Sequence, residues 1–130
     1  MSLKIQEVSL SIKGRLIVND VSINVKPGEV VGLMGPNGAG KTTTFNIAVG
    51  NIKPDKGEVL MNDKNITNLP LPTRSRLGLG YLTQEASIFR DLTVKENIDL
   101  ALQNSSYSRA VIRNRREQLI NEFNLNNFVD

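Results

Sequence analysis

The chain has 130 residues, the size of one small domain, and 39% of them are hydrophobic, which is enough for one modest core. Its 16 basic and 13 acidic residues leave a net charge of +3 that is spread along the chain. This spread is unlike the basic face of a nucleic-acid-binding protein, so we expect no nucleic-acid partner. The absence of cysteine and histidine excludes disulfides, thiolate chemistry and histidine acid–base catalysis.

The sequence shows neither a signal peptide nor a membrane span. Its first seven residues contain no apolar stretch of the length that a signal peptide needs. The longest apolar stretch, residues 30–34, is far shorter than the roughly 20 residues that cross a bilayer. We therefore expect a cytoplasmic protein without a direct membrane span, which a partner would bring to a membrane.

Two strands are predicted at the start of the chain. Residues 8–12 and 16–25 are rich in Val, Ile, Leu and Ser, with a glycine-containing turn between them. Within the second stretch, Val21, Ile23 and Val25 alternate with polar residues, which is the period of a half-buried antiparallel strand. We therefore expect the first part of the chain to form an antiparallel β structure.

A different pattern follows at residues 30–34, which are apolar without alternation. Such a stretch is typical of a strand buried on both faces of a parallel sheet, and residues 78–82 are a second candidate. Residues 41–49 form a predicted helix that Gly50 and Pro54 end. Buried strands and a helix joined by a glycine-rich loop indicate an α/β fold.

The middle of the chain is predicted to contain one further strand, at residues 58–61, followed by a turn at residues 62–65. Residues 69–72 contain two prolines and are expected to lack regular structure. From residue 93 onward the apolar residues recur at helical spacing, and a second helix is predicted at residues 108–123. Strands dominate up to residue 92, so we predict two subdomains, residues 1–92 and 93–130.

The last predicted helix is rich in arginine. Its basic residues are Arg109, Arg113, Arg115 and Arg116. Because Glu117 and Glu122 lie on the same helix, we interpret these arginines as a solvated polar face rather than as a membrane or nucleic-acid patch.

Residues 35–42 fit the pattern G-x-x-x-x-G-K-[S/T] in full. The glycines allow a tight turn that brings backbone N–H groups against phosphate oxygens. The helix that begins near Lys41 adds the partial positive charge of its N-terminus, and Lys41 itself can reach the outer phosphates. The hydroxyl of Thr42 is suited to a Mg²⁺ ion that bridges those phosphates. The alternative is a chance glycine-rich turn, and the position between a strand and a helix favours the nucleotide site.

The run G-P-N-G-A-G-K-T-T-T at residues 35–44 resembles the Walker A segment of ABC transporter ATPases, and L-T-Q-E at residues 82–85 resembles their Q-loop. The longer run at residues 80–94 is most similar to the ATPases of lipopolysaccharide export systems. The resemblance implies a P-loop NTPase fold of the ABC type. That fold has an antiparallel β subdomain, a parallel core sheet, of which this chain would hold a part, and an α-helical subdomain that begins here.

The resemblance also implies ATP and Mg²⁺ as ligands and residues that hold them. The nucleotide-binding residues would be Gly35, Pro36, Asn37, Gly38, Ala39, Gly40, Lys41, Thr42 and Thr43. Lys41 and Gln84 would be catalytic, and Thr42 and Gln84 would hold the metal. Without the resemblance, Gln84 is only a polar residue that caps the predicted strand at residues 78–82.

Family members work as homodimers on transmembrane permease subunits, at the cytoplasmic face of the inner membrane. In the export systems named above, ATP hydrolysis powers the removal of lipopolysaccharide from that membrane. Ile88, Phe89 and Leu92 would then line a groove for a short helix of the partner, and core packing is the equal alternative. Ile12 stands where the family usually has an aromatic residue on adenine, so an apolar contact is the alternative to stacking there.

Three family features are missing from this sequence: the Leu-Ser-Gly-Gly signature, an apolar strand that ends in Asp-Glu, and the switch histidine. The chain is therefore similar to the N-terminal half of the family's domain, and we expect these residues alone not to complete hydrolysis. Two other functions stay open. One is an ATPase of a branched-chain amino-acid importer, and the other is a nucleotide-binding fragment that does not hydrolyse ATP.

Overall fold

The computed structural model of the chain describes residues 1–83, 87–103 and 107–128. The chain divides into two compact units, Met1–Tyr81, here called the sheet unit, and Leu82–Asp130, the helical unit. Within the described ranges, no helix is both long enough and apolar enough to span a bilayer. The subdomain boundary at residue 92 stays a prediction.

The sheet unit is built on four antiparallel strands in the order β2-β1-β3-β4. They are β1 Leu3–Ile12, β2 Arg15–Val25, β3 Lys56–Met61 and β4 Lys64–Asn65. The three strands predicted in this part of the chain are confirmed, and β1 begins earlier than the apolar pattern suggested. The turn predicted at residues 62–65 is too long, because Lys64 and Asn65 pair with Met61 and Leu60.

One helix of the sheet unit, α1, spans Lys41–Val49, as predicted from the sequence. Its buried residues are Thr44, Ile47, Ala48 and Val49. They share a core with the inward-facing residues of the strands, which include Val8, Val18 and Val59. The helix therefore lies against the sheet because its last two turns supply the apolar surface that the strands need to cover.

A second helix, α2, spans Leu71–Arg76 and corrects the expectation that residues 69–72 lack regular structure. Pro70 precedes the helix in an extended conformation, and Pro72 lies in its first turn. The first turn of a helix has N–H groups without intrahelical partners, so proline costs no hydrogen bond there. The two prolines therefore begin a helix rather than prevent one.

The two stretches predicted as buried parallel strands are not strands in the described part of the chain. Val30 is 96% exposed and Met34 is 92% exposed. In the second stretch Leu79 is buried, but Leu82 is 89% exposed. A strand exists only when a neighbour pairs with its backbone, and no strand pairs with either stretch in the described residues. The apolar composition of both stretches is typical of strands, but the described residues contain no neighbouring strand that pairs with them.

The helical unit contains two main helices, α3 Val94–Gln103 and α4 Arg109–Glu122, and a short 3-10 turn at Asn126–Phe128. Both predicted helices are confirmed. Ser108 caps α4, because its hydroxyl accepts a hydrogen bond from the N–H of Val111 at 3.5 Å. Ile120 is the only buried hydrophobic residue among the described residues of this unit.

Candidate functional site

The glycine-rich loop at residues 35–40, here called the phosphate loop after its predicted role, lies directly against strand β2. A Cβ atom at Gly40 would lie 2.5 Å from the carbonyl oxygen of Ile17, and the φ angle of Gly40 is +84°. Gly38 also has a positive φ, of +82°, and the N–H of Ala39 donates to the carbonyl of Pro36 at 3.3 Å. Side chains are therefore disfavoured at Gly40 on two grounds, backbone conformation and contact with β2. Glycine there lets the loop approach the sheet.

The loop leads into the N-terminus of α1, which no side chain caps. The first hydrogen bond that closes this helix runs from the N–H of Thr44 to the carbonyl of Gly40, at 2.8 Å. The N–H groups of residues 41–43 have no carbonyl acceptor within the helix, because no helical turn precedes them. Together with the helix dipole, these N–H groups make this end of α1 suited to an anion.

Lys41 extends back over the start of the loop. Its Nζ donates to the carbonyl oxygens of Gly35 and Pro36, both at 2.7 Å. The two acceptors are neutral, so the ammonium has no carboxylate partner in these bonds, and its full charge lies over the loop. An ammonium beside unpaired N–H groups and a helix N-terminus is the arrangement that cradles a phosphate chain.

The three threonines that follow Lys41 differ in their surroundings. Thr44 is buried, and its hydroxyl donates to the carbonyl of Gly40 at 3.0 Å, so it holds the first turn of α1 together. Thr42 is exposed and Thr43 is half-buried. Thr42 therefore has the freely accessible hydroxyl of the three, which fits the predicted magnesium ligand. The nine predicted nucleotide-binding residues are consecutive from the loop into the first turn of α1, and none of them is buried.

Arg74 of α2 is a residue of this unit that sequence reasoning missed. Its side chain is fully buried and donates to carbonyl oxygens at the C-terminal end of α1, the end opposite the phosphate loop. Burial lowers the pKa of Arg74 from its ordinary value, because a charged guanidinium loses its hydration. In the sequence, Arg74 follows an apolar, proline-rich stretch, and that position alone does not predict its hydrogen-bond partners.

Gln84, the predicted catalytic and metal-binding glutamine, lies outside the described residues. Its relation to the phosphate loop therefore stays a prediction. Ile12 ends strand β1 and is 43% exposed, so it is accessible for the predicted apolar contact with a base, which also stays a prediction.

The side chain of Asn97 makes several of the hydrogen bonds that hold the loop before α3. Its amide nitrogen donates to the carbonyls of Phe89, Leu92 and Thr93 at 3.0 to 3.1 Å. Its amide oxygen accepts from the N–H of Phe89 at 2.9 Å. Ile88 is 65% exposed and Phe89 is 59% exposed, so within the helical unit they do not pack in a core. The loop therefore presents apolar side chains on a fixed backbone.

The arginines of α4 make mainly surface contacts. Arg113 lies 4.0 Å from Glu117, and Arg115 donates to Gln118 at 3.2 Å. Arg116 differs, because it pairs with Asp99 of α3 at 2.6 Å and is only 17% exposed. The predicted solvated face is thus found for most of these side chains, while Arg116 joins the two helices.

The chain is similar to known ATP-binding proteins over nearly its whole length. A family model described as ABC transporter matches residues 18–130. The lipopolysaccharide export system ATP-binding proteins LptB of Acidithiobacillus ferridurans and Escherichia coli K12 are 46% and 45% identical over 95% and 99% of this chain. The protein of that name from Haemophilus influenzae is 44% identical over 96% of it. The aligned parts are 51%, 54% and 52% of those proteins, so the chain spans about half the length of the relatives it matches.

Solved structures of ABC transporter ATP-binding proteins are also similar to this chain. The ATP-binding subunit of an ABC transporter matches with a TM-score of 0.84 at 29% identity, over 99% of this chain and 53% of that one. A nucleotide-free ATP-binding cassette from an ABC transporter matches with a TM-score of 0.72 at 29% identity, over 86% and 45%. A fold of this type, a phosphate loop of this geometry and a family match over most of the sequence show that the chain belongs to the ABC transporter ATPase family.

Proposed function

We propose that these residues bind the phosphates of MgATP as part of the ATP-binding subunit of a transporter that exports lipopolysaccharide. The observation that carries the nucleotide site is the uncapped start of α1 behind the glycine loop, with the ammonium of Lys41 above it. The cargo is supported by the names of the relatives, which are about 45% identical to this chain. Membership in a family of ATPases supports ATP hydrolysis by the complete protein.

The roles of the individual residues follow from their positions. The loop at residues 35–40 would wrap the phosphates with backbone N–H groups, and Lys41 would exchange its two carbonyl acceptors for phosphate oxygens. The hydroxyl of Thr42 would hold Mg²⁺, which neutralises phosphate charge when it is bound. Gln84 would complete the metal site and orient the attacking water, as the family resemblance implies.

The proposed assembly is a homodimer on transmembrane permease subunits at the cytoplasmic face of the inner membrane. The exposed apolar side chains of Ile88 and Phe89 support a contact with such a partner, because the bonds of Asn97 keep their backbone in place. The sequence-based division at residue 92 would then leave Ile88 and Phe89 at the end of the nucleotide-binding subdomain, just before the helical subdomain begins in the sequence.

Nucleotide binding can be tested by titrating the full-length protein with a fluorescent ATP analogue and Mg²⁺. Lys41→Ala removes one charged contact with phosphate, which is worth about 1.5 to 3 kcal/mol, so we expect the dissociation constant to rise by roughly 10- to 100-fold. Lys53→Ala is the matched control, because Lys53 is exposed and lies outside the loop. Equal affinity of both variants and the wild type would contradict the proposed site.

The cargo needs a separate experiment. ATP turnover is measured for the full-length protein assembled with its own transmembrane partners in liposomes, with and without lipopolysaccharide. Stimulation by lipopolysaccharide supports export. Stimulation by branched-chain amino acids and their binding protein would support the importer alternative instead. Nucleotide binding without turnover in either preparation would support the non-hydrolysing alternative.

A further inference from the structure

Arg74 is a buried cation in the middle of the sheet unit, with 0% of its surface exposed. Its guanidinium donates to four carbonyl oxygens, at distances of 2.7 to 2.9 Å. Two of these acceptors, Ile47 and Ala48, belong to the last turn of α1, and the other two, Thr67 and Leu69, lie in the segment between β4 and α2. One side chain therefore joins the phosphate-binding helix to the segment that precedes α2.

The charge of Arg74 has no carboxylate partner in the described part of the chain. The other buried polar side chains there are Thr44 and Thr67, and all the acceptors of the guanidinium are backbone carbonyls. A buried cation without an anion is costly, and apolar residues of the same size would avoid that cost. What compensates it here is the C-terminus of α1, whose last carbonyls have no partner within the helix and carry the negative end of the helix dipole.

Gly50, which follows α1, is fitted to the same contact. A Cβ atom at Gly50 would lie 2.7 Å from the Nε of Arg74, and the φ angle of Gly50 is +90°. The helix therefore ends in a residue that leaves room for the guanidinium. The main chain of Arg74 is also fixed, because its carbonyl accepts from the N–H of Leu79 at 3.1 Å, and Leu79 is buried in the core. Leu79 lies five positions before Gln84 in the sequence.

We propose that Arg74 is a positioning residue for the phosphate site, which acts through α1 by holding a fixed positive charge on the C-terminal carbonyls of that helix. The inference rests on the proposed binding of nucleotide at residues 35–43. Arg74 offsets the negative charge at the C-terminal end of the α1 dipole. A phosphate chain at the N-terminal end is therefore attracted by the positive charge there, without repulsion from the negative end. The helix has nine residues, so its two ends are about 13 Å apart, and the intervening protein screens charge less than water does.

The test compares Arg74→Met and Arg74→Lys with the wild type in the full-length protein. Arg76→Met is the matched control, because Arg76 lies on the same helix but is exposed. Each protein is titrated with a fluorescent ATP analogue and Mg²⁺, well below its own thermal transition and with its far-UV circular dichroism intact. Competition by inorganic pyrophosphate then reports the phosphate loop without the base.

We expect Arg74→Met to weaken both ATP and pyrophosphate binding by roughly three- to tenfold in the folded protein. Arg74→Lys keeps the charge and loses part of the hydrogen bonding, so it should lie between Arg74→Met and the wild type. Arg76→Met should bind within about twofold of the wild type. A residue that only stabilises the fold would lower the thermal midpoint without changing the affinity of the folded protein, and that result would overturn the inference.

If Arg74→Met does not fold, Arg74→Gln, which removes the charge and keeps part of the hydrogen bonding, decides by the same measurement, and wild-type affinity in that variant rejects the positioning role. Two failures are distinguishable. A wild type that binds neither ATP nor pyrophosphate refutes the proposed function itself. A wild type that binds, with Lys41→Ala impaired and the Arg74 variants unimpaired, refutes only the role of Arg74.

Discussion

The two units of the chain are stabilised in different ways. The sheet unit buries eleven hydrophobic residues in one cluster, contributed by three strands, by α1 and by the segments around α2. Among the described residues of the helical unit, only Ile120 is buried, at 9% exposure. That unit is held instead by polar contacts, above all those of Asn97 and the pair of Arg116 with Asp99.

The same difference holds for the loop at residues 35–40 of the sheet unit and for the loop before α3 in the helical unit. The phosphate loop is braced by β2 on one side and, through α1, by a packed core, so its geometry follows from burial. The loop with Ile88 and Phe89 has little apolar burial within its unit, and hydrogen bonds to one asparagine fix its backbone. Hydrogen bonds that water can replace contribute less stability than a packed core does. Substitutions in the two units should therefore differ in how much they lower the free energy of unfolding.

The largest effect is expected for Ile66→Ala. Ile66 is 1% exposed, and its loss would leave a cavity beneath the sheet at a cost of about 2 to 5 kcal/mol in the free energy of unfolding. Ile88→Ala is the matched change in the other unit, and since Ile88 is 65% exposed, we expect less than about 0.5 kcal/mol. Chemical denaturation of the full-length protein measures both. Equal losses would show that the two units do not differ in this way.

An intermediate effect is expected for Asn97→Ala. The change removes the partner of one N–H group and three carbonyls near the surface, where water replaces part of the bonding, so we expect a loss of about 1 to 2 kcal/mol. Hydrogen exchange of the amide of Phe89 should become faster, while amides of the sheet unit stay unchanged. The control is Asn114→Ala, an exposed asparagine of α4. Unchanged exchange at Phe89 would rule out the proposed bracing of the loop.

The smallest effect is expected for Glu117→Gln, which removes the charge that faces Arg113 one turn away. The two groups are 4.0 Å apart, and their side chains are 70% and 62% exposed. Water and salt screen such a pair, so the loss should stay below about 0.5 kcal/mol and should vanish in high salt. Thermal denaturation at low and high ionic strength measures the difference. A loss comparable to that of Ile66→Ala would mean that surface charge, rather than burial, stabilises α4.

Local signals in the sequence were enough for several elements. Helix α1 was predicted from its first to its last residue, because the glycine loop marks its start and Gly50 marks its end. The same rules failed at α2, since proline both breaks helices and begins them, and only the packing of Leu71 and Arg74 decides between the two. The strands predicted at residues 30–34 and 78–82 failed for another reason, because pairing depends on partners that lie elsewhere in the sequence.

The candidate site was likewise predictable from the sequence in part only. The spacing of the glycines, Lys41 and Thr42 predicted a phosphate-binding loop, because the chemistry of phosphate binding requires those residue types in that order. The distinction between the exposed Thr42 and the buried Thr44 required the structure, since the three threonines are equivalent in the sequence. The contacts of Arg74 also required the structure, since an arginine beside prolines gives no sign of the helix that it contacts.

By itself the sequence predicted the glycine-rich loop, helix α1, the antiparallel strands and the family resemblance, all of which depend on residues close together in the chain or on their order. Only the tertiary structure decided that Gly40 lies against Ile17, that α2 is a helix, and that Arg74 reaches Ile47, 27 positions earlier. Contacts of this kind depend on how separate segments pack, and a buried polar group takes whichever partner that packing brings within hydrogen-bond distance.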